Sequence, residues 1–270
     1  YTLWHTLSLH DALPICMDEA RKNAVYSVKN ILSLARACRD NGQYVKTDVV
    51  STVGVAGKRT GLVPEKPFTE SCGFHNTYEA AKAEAERILY SEMENGSPVT
   101  IHRPSMVVGD SQTGNVRSFQ VFYHLCNFFS GRQTRGIVPR TGDFRLDIIP
   151  VDYVARVICM ASKDRETVGR IFHLASGPDS ALPIPVLQKH TSSHFGIQPI
   201  RVPLIIFDRI LPALSFLFPI KLRKLLRNLP YFLTYIRDPQ LFDNHETNDY
   251  FFAKVLHIPN TQAYLDTVLT

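Results

Sequence analysis

Residues 48–86 constrain the fold more than any other part of the chain. Residues 44–50 end in a continuous apolar run, which suits a parallel strand covered on both faces. This run leads into a hydroxyl residue, Thr52, and then into glycines. Tyr78 and Lys82 follow at i, i+4 spacing in an alanine- and glutamate-rich segment. Because that spacing puts two side chains on one helical face, the pair is predicted to act together at the end of a buried strand.

The pairing of a phenol with an ammonium group suits proton donation. Free tyrosine titrates near ~10, and a nearby positive charge lowers that pKa toward working pH. Thr52 would complete the group by hydrogen-bonding a substrate oxygen, with Ser51 as the alternative. Tyr-x-x-x-Lys also arises by chance as a surface pair on ordinary helices. The spacing alone therefore leaves a catalytic and a purely structural interpretation open.

Composition excludes several classes of protein. The chain has 270 residues, 44% of them hydrophobic, and a net charge of +5, which gives no reason to expect a nucleic-acid partner but suits an anionic cofactor or substrate. Its five cysteines are scattered without a C-x-x-C pair, as expected for reduced thiols rather than a disulfide frame or a zinc site. No apolar run is long enough to predict a transmembrane helix. We expect a cytoplasmic protein without a metal.

The first 16 residues do not read as the start of a domain. They lack the charged and apolar regions of a signal peptide. The stretch TLSLHDALPI resembles one translated frame of a common sequencing-adapter oligonucleotide. We interpret residues 1–16 as non-native and expect the protein to begin near Met17. Residues 17–41 have helical periodicity and end at Asn41-Gly42, a typical helix stop.

The strand, the hydroxyl residue and the Tyr-x-x-x-Lys motif together resemble the extended short-chain dehydrogenase/reductases. The segments GFHNTYEAAKAEAERIL and HRPSMVVGDSQTGN are similar to one branch, the thioester reductases and fatty-acyl-CoA reductases with a male-sterility-type NAD-binding domain. Two further motifs are similar to the same branch: D-x-x-P-V-D-Y-V-A, in which Asp152 would cap a helix, and the later F-D-N-x-x-T. The resemblance covers residues 17–270 almost throughout.

The resemblance implies roles for individual residues. It implies a catalytic group of Thr52, Tyr78 and Lys82. The cofactor-binding residues that it implies are Tyr78, Lys82, Pro104, Ser105 and Gly109. Candidate substrate contacts are Ser51, His75 and Thr113. Asn76 or Thr77 would cap the helix that carries Tyr78.

The fold class implied is α/β: the C-terminal part of a Rossmann-like doubly wound parallel sheet with a smaller, mainly helical substrate-binding region. We divide the chain into residues 17–178, the nucleotide domain, and residues 179–270, the substrate-binding or lid region. No G-x-G-x-x-G turn that would seat a pyrophosphate is present. We therefore expect residues 44–50 to form an exposed apolar edge, and this polypeptide alone to be unstable or inactive.

The function implied is NADPH-dependent reduction of an acyl thioester, on coenzyme A or an acyl-carrier protein, to an aldehyde or alcohol. NAD(H) is not excluded, because the segment that separates NAD from NADP is absent. An apolar stretch beside a basic one at residues 204–227 would suit either a lid or peripheral membrane contact. Two alternatives stay open: an extended-type ketone or alcohol dehydrogenase (sterol- or flavonoid-like) or nucleotide-sugar epimerase, and a non-catalytic interaction scaffold.

Overall fold

A computed structural model gives the architecture of the chain. The described residues are 16–117, 121–132, 134, 136–210, 213 and 240–269. The segment interpreted as non-native, residues 1–16, lies outside them except for Cys16, as does most of residues 204–227. In the described parts, no helix is long and apolar enough to cross a membrane.

The helices and strands alternate along the chain, as an α/β fold requires. The helices are α1 (Met17–Arg21), α2 (Ser27–Asp40), α3 (Thr77–Glu94), α4 (Val121–Phe129), α5 (Val151–Lys163), α6 (Ile184–His194), α7 (His245–Phe252) and α8 (Thr261–Leu269). The strands are β1 (Thr47–Val50), β2 (Gly61–Val63), β3 (Val99–Pro104), β4 (Met106–Val108), β5 (Ile137–Pro139), β6 (Arg145–Leu146), β7 (Ile148–Pro150), β8 (Ile171–Leu174), β9 (Leu182–Pro183), β10 (Ile200–Val202) and β11 (Gln240–Phe242).

The predicted helix at residues 17–41 is present, with one irregularity. A π-helical turn at Lys22–Tyr26 joins α1 to α2. The helix ends at Asn41, and Gly42 follows with φ of 78°, the left-handed conformation usual after a helix. The predicted stop is therefore confirmed. The π-turn adds a residue to the turn that carries Asn23.

A three-stranded parallel sheet in the order β1-β3-β8 forms the centre of the fold. Helices α2 and α3 cover one face through a cluster that includes Leu32, Leu89 and Ile101. Helices α5 and α7 cover the other face around Phe172 and Phe251. A parallel sheet with helices on both faces is the doubly wound arrangement, so the predicted fold class is confirmed.

Strand β1 lies at the edge of this sheet. Among the described strands it pairs only with β3, from Thr47 opposite Val99 to Val50 opposite His102. Val50 is 44% exposed. The apolar edge expected for residues 44–50 is therefore present in the described part of the chain, in a strand shorter than predicted. Whether it destabilises the polypeptide stays a prediction.

The segment at residues 98–109 forms two strands rather than one. It breaks at Ser105, where the chain leaves the main sheet and β4 pairs with β7. Beyond the break, β4 and β7 join α4, α6 and α8 in a second apolar cluster. The break places Ser105 directly after β3, at the carboxyl ends of the central strands.

One other expectation is corrected. Asp152 does not cap α5: Pro150 occupies the cap position, and the Asp152 carboxylate accepts hydrogen bonds from Ser111 N and Oγ at 2.8 and 2.9 Å. After β8, the described chain adds three more strands, β9, β10 and β11. In particular, β11 returns to pair with β2, with Phe242 opposite Val63.

Candidate active site

The candidate site lies where the central strands end. Thr52 follows β1, Ser105 follows β3 and Ser176 follows β8 within two residues. In open parallel sheets, ligands bind outside the carboxyl ends of the strands. The predicted residues Ser51, Thr52, Pro104 and Ser105 are therefore brought to the edge where such a ligand would bind.

Thr52 is held by the backbone that follows it. It precedes a 3-10 turn at Val53–Ala56, and its Oγ1 accepts a hydrogen bond from Gly54 N at 3.2 Å. This contact fixes the hydroxyl and leaves its proton available to a substrate oxygen. A Cβ on Gly54 would lie 3.1 Å from Cγ of Glu79, so the turn packs closely on the start of α3.

The start of α3 is fixed by a cap. Asn76 Oδ1 accepts a hydrogen bond from Glu79 N at 2.9 Å, which confirms one of the two predicted capping residues. His75 is not a solvated loop residue: its side chain is buried, and Nδ1 lies 3.0 Å from Glu79 Oε2. His75 therefore contacts Glu79, the neighbour of Tyr78, and its buried ring is better placed to hold Glu79 than to touch a substrate.

Tyr78 is the accessible member of the group. It is 48% exposed, and Lys82 Nζ lies 5.9 Å from the centre of its ring. Partial burial and the charge of Glu79 raise the pKa of the Tyr78 phenol. The lowering expected from Lys82 is therefore not found, because desolvation and a neighbouring carboxylate oppose it. A raised pKa keeps the phenol protonated at neutral pH.

Lys82 is fixed by β1. Its Nζ donates a hydrogen bond to the carbonyl oxygen of Val50 at 3.1 Å. Burial lowers the pKa of the Lys82 ammonium, and the Glu86 carboxylate opposes this by raising it. Lys82 also lines a cavity of about 270 Å³ between α2, β1 and α3, together with Asn23, Ser51 and Glu86.

Ser51 differs from Thr52 in its surroundings. It is 5% exposed, and its backbone N–H donates to the carbonyl of His102 at 2.7 Å. Its Oγ has no hydrogen-bond partner within the described part of the chain. A buried hydroxyl of this kind is costly unless a ligand or water satisfies it. Ser51 thus offers a donor into the same cavity as Lys82.

Pro104 and Ser105 adjoin a buried carboxylate that sequence reasoning missed. Asp147 accepts hydrogen bonds from Ser176 N at 2.8 Å and Gly177 N at 3.1 Å. Burial raises the pKa of Asp147 to about 6, although the hydroxyls of Ser105 and Ser176 act against it. Asp147 ties the end of β3 to the end of β8. Asp147 is the first residue of the D-x-x-P-V-D-Y-V-A segment, to which sequence analysis gave a role only at Asp152.

Gly109 and Thr113 have local structural roles. The backbone N–H of Gly109 donates to the Tyr123 hydroxyl at 2.9 Å, and a Cβ at Gly109 would lie 2.6 Å from the carbonyl oxygen of Gly114. The backbone at Gly109 therefore approaches the protein's own chain closely. Thr113 is exposed and donates its hydroxyl to Asp110 Oδ1 at 3.0 Å within a turn.

A second buried group lies behind Tyr78 and Lys82. Arg103 is fully buried and donates to both carboxylate oxygens of Glu86, with Nη2 2.7 Å from Oε2. Its Nη1 lies 3.1 Å from His173 Nε2, and the Tyr90 hydroxyl joins the same carboxylate. Sequence analysis missed this network. The signal was the i, i+4 continuation of Tyr78 and Lys82 to Glu86 and Tyr90.

These residues fit a nicotinamide nucleotide in part. A buried hydroxyl without a protein partner, a lysine ammonium and a half-exposed phenol meet at the carboxyl ends of a parallel sheet. They could contact a ribose and the nicotinamide ring, whereas the sequence contains no G-x-G-x-x-G turn to hold the pyrophosphate. Within the described ranges, no cluster of three or more His, Cys, Asp or Glu side chains could hold a metal ion.

Comparison with known proteins places this chain in a family. The profile of the NAD-binding domain family described as "Male sterility protein" matches residues 15–158. The aldehyde reductase lnaA of Aspergillus flavus is 31% identical over 160 residues, which are 56% of this chain and 15% of that protein. The chain thus spans a small part of the curated relative that it matches.

Solved structures share the fold. The terminal R domain of the myxalamid PKS-NRPS biosynthetic pathway has a TM-score of 0.73 and 24% identity, over 91% of this chain and 61% of that domain. A thiolation-reductase di-domain from an archaeal non-ribosomal peptide synthetase has a TM-score of 0.67 and 18% identity, over 89% of this chain and 50% of that one. At these identities the likeness establishes the fold alone.

Proposed function

Because this chain belongs to the male sterility protein family of NAD-binding domains, we propose that it is part of an oxidoreductase that reduces acyl thioesters with a nicotinamide cofactor. The observation that carries the proposal is the position of Tyr78 and Lys82. The phenol is half exposed at the carboxyl ends of the strands, and the ammonium is hydrogen-bonded to the last residue of β1. This is where a substrate oxygen would meet a proton donor.

Each side chain has one task in this proposal. Tyr78 donates its proton to the substrate oxygen, and its raised pKa means that the proton is present at neutral pH. Thr52 donates a hydrogen bond to the same oxygen, since its lone pair already accepts from Gly54 N. Lys82 stabilises the negative charge left on the phenol and contacts the cofactor ribose. Ser51, Pro104 and Ser105 form the wall on which the ring would lie.

A reduced nicotinamide, when bound, supplies the hydride. We favour NADPH because the family branch that the sequence resembles uses it, while the residues present do not separate NADPH from NADH. For the substrate, we favour an acyl group linked to a carrier protein or to coenzyme A. The relatives support this choice: one is an aldehyde reductase, and two similar structures are reductase domains of peptide or polyketide synthetases.

The test uses the longest polypeptide that the gene encodes. Oxidation of NADPH is followed with three substrates of equal chain length: an acyl thioester, the matching aldehyde and a methyl ketone. The proposal predicts thioester-dependent turnover with release of free thiol. Turnover with the ketone alone would replace it by the ketone or alcohol dehydrogenase alternative. Folded protein that binds no nicotinamide nucleotide would leave the interaction-scaffold alternative.

A further inference from the structure

The buried pair Glu86–Arg103 lies directly behind the candidate catalytic helix face. Tyr78, Lys82, Glu86 and Tyr90 follow one another at i, i+4 spacing along α3, so their side chains form one row. The Glu86 side chain is 2% exposed and that of Arg103 is fully buried. Lys82 and Glu86 line the same cavity, so the carboxylate is the neighbouring anion on the lysine's own helix.

Glu86 is held in one orientation. Arg103 Nε lies 3.1 and 3.2 Å from its two oxygens, and Nη2 lies 2.7 Å from Oε2. Arg103 is fixed in turn, because Nη1 donates to the Lys66 carbonyl at 3.0 Å and the guanidinium stacks on the Phe68 ring at 4.4 Å. A bidentate pair with both partners immobilised forms a fixed charge rather than an adaptable one.

The other carboxylates near Lys82 lie outside the row of Tyr78, Lys82, Glu86 and Tyr90 and are paired with other groups. Asp48 of β1 lines the cavity but is bound to Lys46 at 2.7 Å and to His102 at 2.9 Å. Glu84 is paired with Arg21 at 2.9 Å, and Glu79 is engaged by His75. From α2 and the π-turn, the cavity receives the neutral Asn23 and Ser27.

We propose that Glu86, immobilised by Arg103, is a positioning residue that keeps the Lys82 ammonium charged and directed at the carboxyl end of β1. The inference rests on the proposed function, because it gives Lys82 its task in proton transfer. The proposal also gives Arg103 a role, because Arg103 holds the Glu86 carboxylate in place. Arg103 lies on β3, the strand that ends at Pro104 and leads into Ser105. Substitution at Glu86 should thus change the titration of Lys82.

The experiment measures Lys82 directly, without catalysis. Amine-reactive labelling of the gene product across a pH series, followed by peptide mass spectrometry, gives the fraction of neutral Lys82 amine. In Glu86→Gln, labelling of Lys82 at a fixed pH below its midpoint should increase roughly threefold or more, because loss of an adjacent anion favours the neutral amine. Glu84→Gln is the matched control and should leave Lys82 unchanged, since residues two apart face different sides of a helix.

A second variant distinguishes a change in the Lys82 titration from a loss of folding. Glu86→Gln leaves the buried Arg103 charge unpaired, which is destabilising, whereas Glu86→Gln/Arg103→Met removes both charges. We expect the double variant to fold and Lys82 still to label faster than in the wild type. Wild-type labelling in either folded variant would overturn the proposal. Unfolding of the double variant would also overturn it, because Glu86 would then support the fold and not Lys82. Absence of reductase activity would refute the proposed function without affecting this titration.

Discussion

The Nζ of Lys82 donates a hydrogen bond to the carbonyl oxygen of Val50 at 3.1 Å, which joins the middle of α3 to the last residue of β1. Tyr78 lies one helical turn earlier, and Thr52 lies two residues beyond Val50. One bond between a helix and a strand therefore sets the separation of the candidate proton donor and the candidate hydroxyl. In the proposed reaction, this bond orients the ammonium.

Lys82→Met should weaken cofactor binding and slow turnover, because it removes the ammonium next to the phenol while keeping a side chain of similar length. The expected loss of kcat/KM is about 10²-fold or more, the range found for groups that support proton transfer. Lys82→Arg should recover part of it. Lys29→Met, on an exposed position of α2, is the control and should have no effect. Equal kinetics for the Lys82 and Lys29 variants would remove Lys82 from the site.

Asp147 predicts a specific pH dependence of stability. Burial raises its folded-state pKa from 3.8 to about 6, so between these values the unfolded chain releases the proton first. Its contribution is therefore fully present below about pH 4 and is lost as the pH rises through about 6. The loss amounts to roughly 3 kcal/mol in the free energy of unfolding.

The check on Asp147 is a pair of denaturant titrations. Asp147→Asn cannot ionise, so its free energy of unfolding should vary less between pH 4 and pH 7 than that of the wild type. The variant should also be less stable than the wild type, because one of the two oxygens that accept from Ser176 N and Gly177 N becomes an amide NH2 group, which cannot accept a hydrogen bond. Parallel pH profiles for the two proteins would contradict the raised pKa.

Thr247 connects the C-terminal segment to the central sheet through Glu65. This buried carboxylate accepts from His173 N at 2.7 Å, from Thr247 N at 3.0 Å and from the Thr247 hydroxyl. Thr247→Val removes the hydroxyl donor and should destabilise the fold by about 1–3 kcal/mol. The effect should be larger at pH 8 than at pH 4, because burial already raises the pKa of Glu65 and loss of a donor raises it further. Thermal melts of Ser33→Ala, at an exposed hydroxyl, give the baseline.

Gly57 is required by the loop that approaches the site. Its φ is +63°, and a Cβ there would lie 2.1 Å from the carbonyl oxygen of Gly73. Gly61 has φ of +79° but nothing within 4 Å of a Cβ, so it isolates the cost of backbone strain. Gly61→Ala should cost about 1–3 kcal/mol. Gly57→Ala should cost more, because the two loop segments must also separate. Similar melting temperatures for the two variants would mean that the close approach is unimportant.

Much of the candidate site could be predicted from the sequence, because its features depend on residues that are close together in the chain. The strand that leads to Thr52, the cap at Asn76 and the i, i+4 spacing of Tyr78 and Lys82 are set by residues near one another in the chain. The raised pKa of Tyr78 was not foreseeable in the same way, because it depends on burial and on the charge of Glu79. The i, i+4 spacing of Tyr78 and Lys82 alone had predicted a lowered pKa for the Tyr78 phenol.

Long-range contacts account for what sequence reasoning missed. Glu65 is bound by residues 108 and 182 positions away, and Arg103 meets His173 across 70 positions. Asp152 looks like a helix cap in the sequence, yet its carboxylate is engaged by Ser111, 41 positions earlier. No periodicity encodes such pairings, because they depend on how β3, β8 and the C-terminal segment pack.

The central claim is that Tyr78 donates the proton, and Tyr78→Phe tests it most directly. Phe keeps the ring and removes only the hydroxyl. The account predicts that thioester-dependent NADPH oxidation falls about 10²–10⁴-fold while NADPH binding and the melting temperature stay close to those of the wild type. Tyr44→Phe, at another exposed tyrosine, should retain full activity. Full activity in folded Tyr78→Phe would contradict the account.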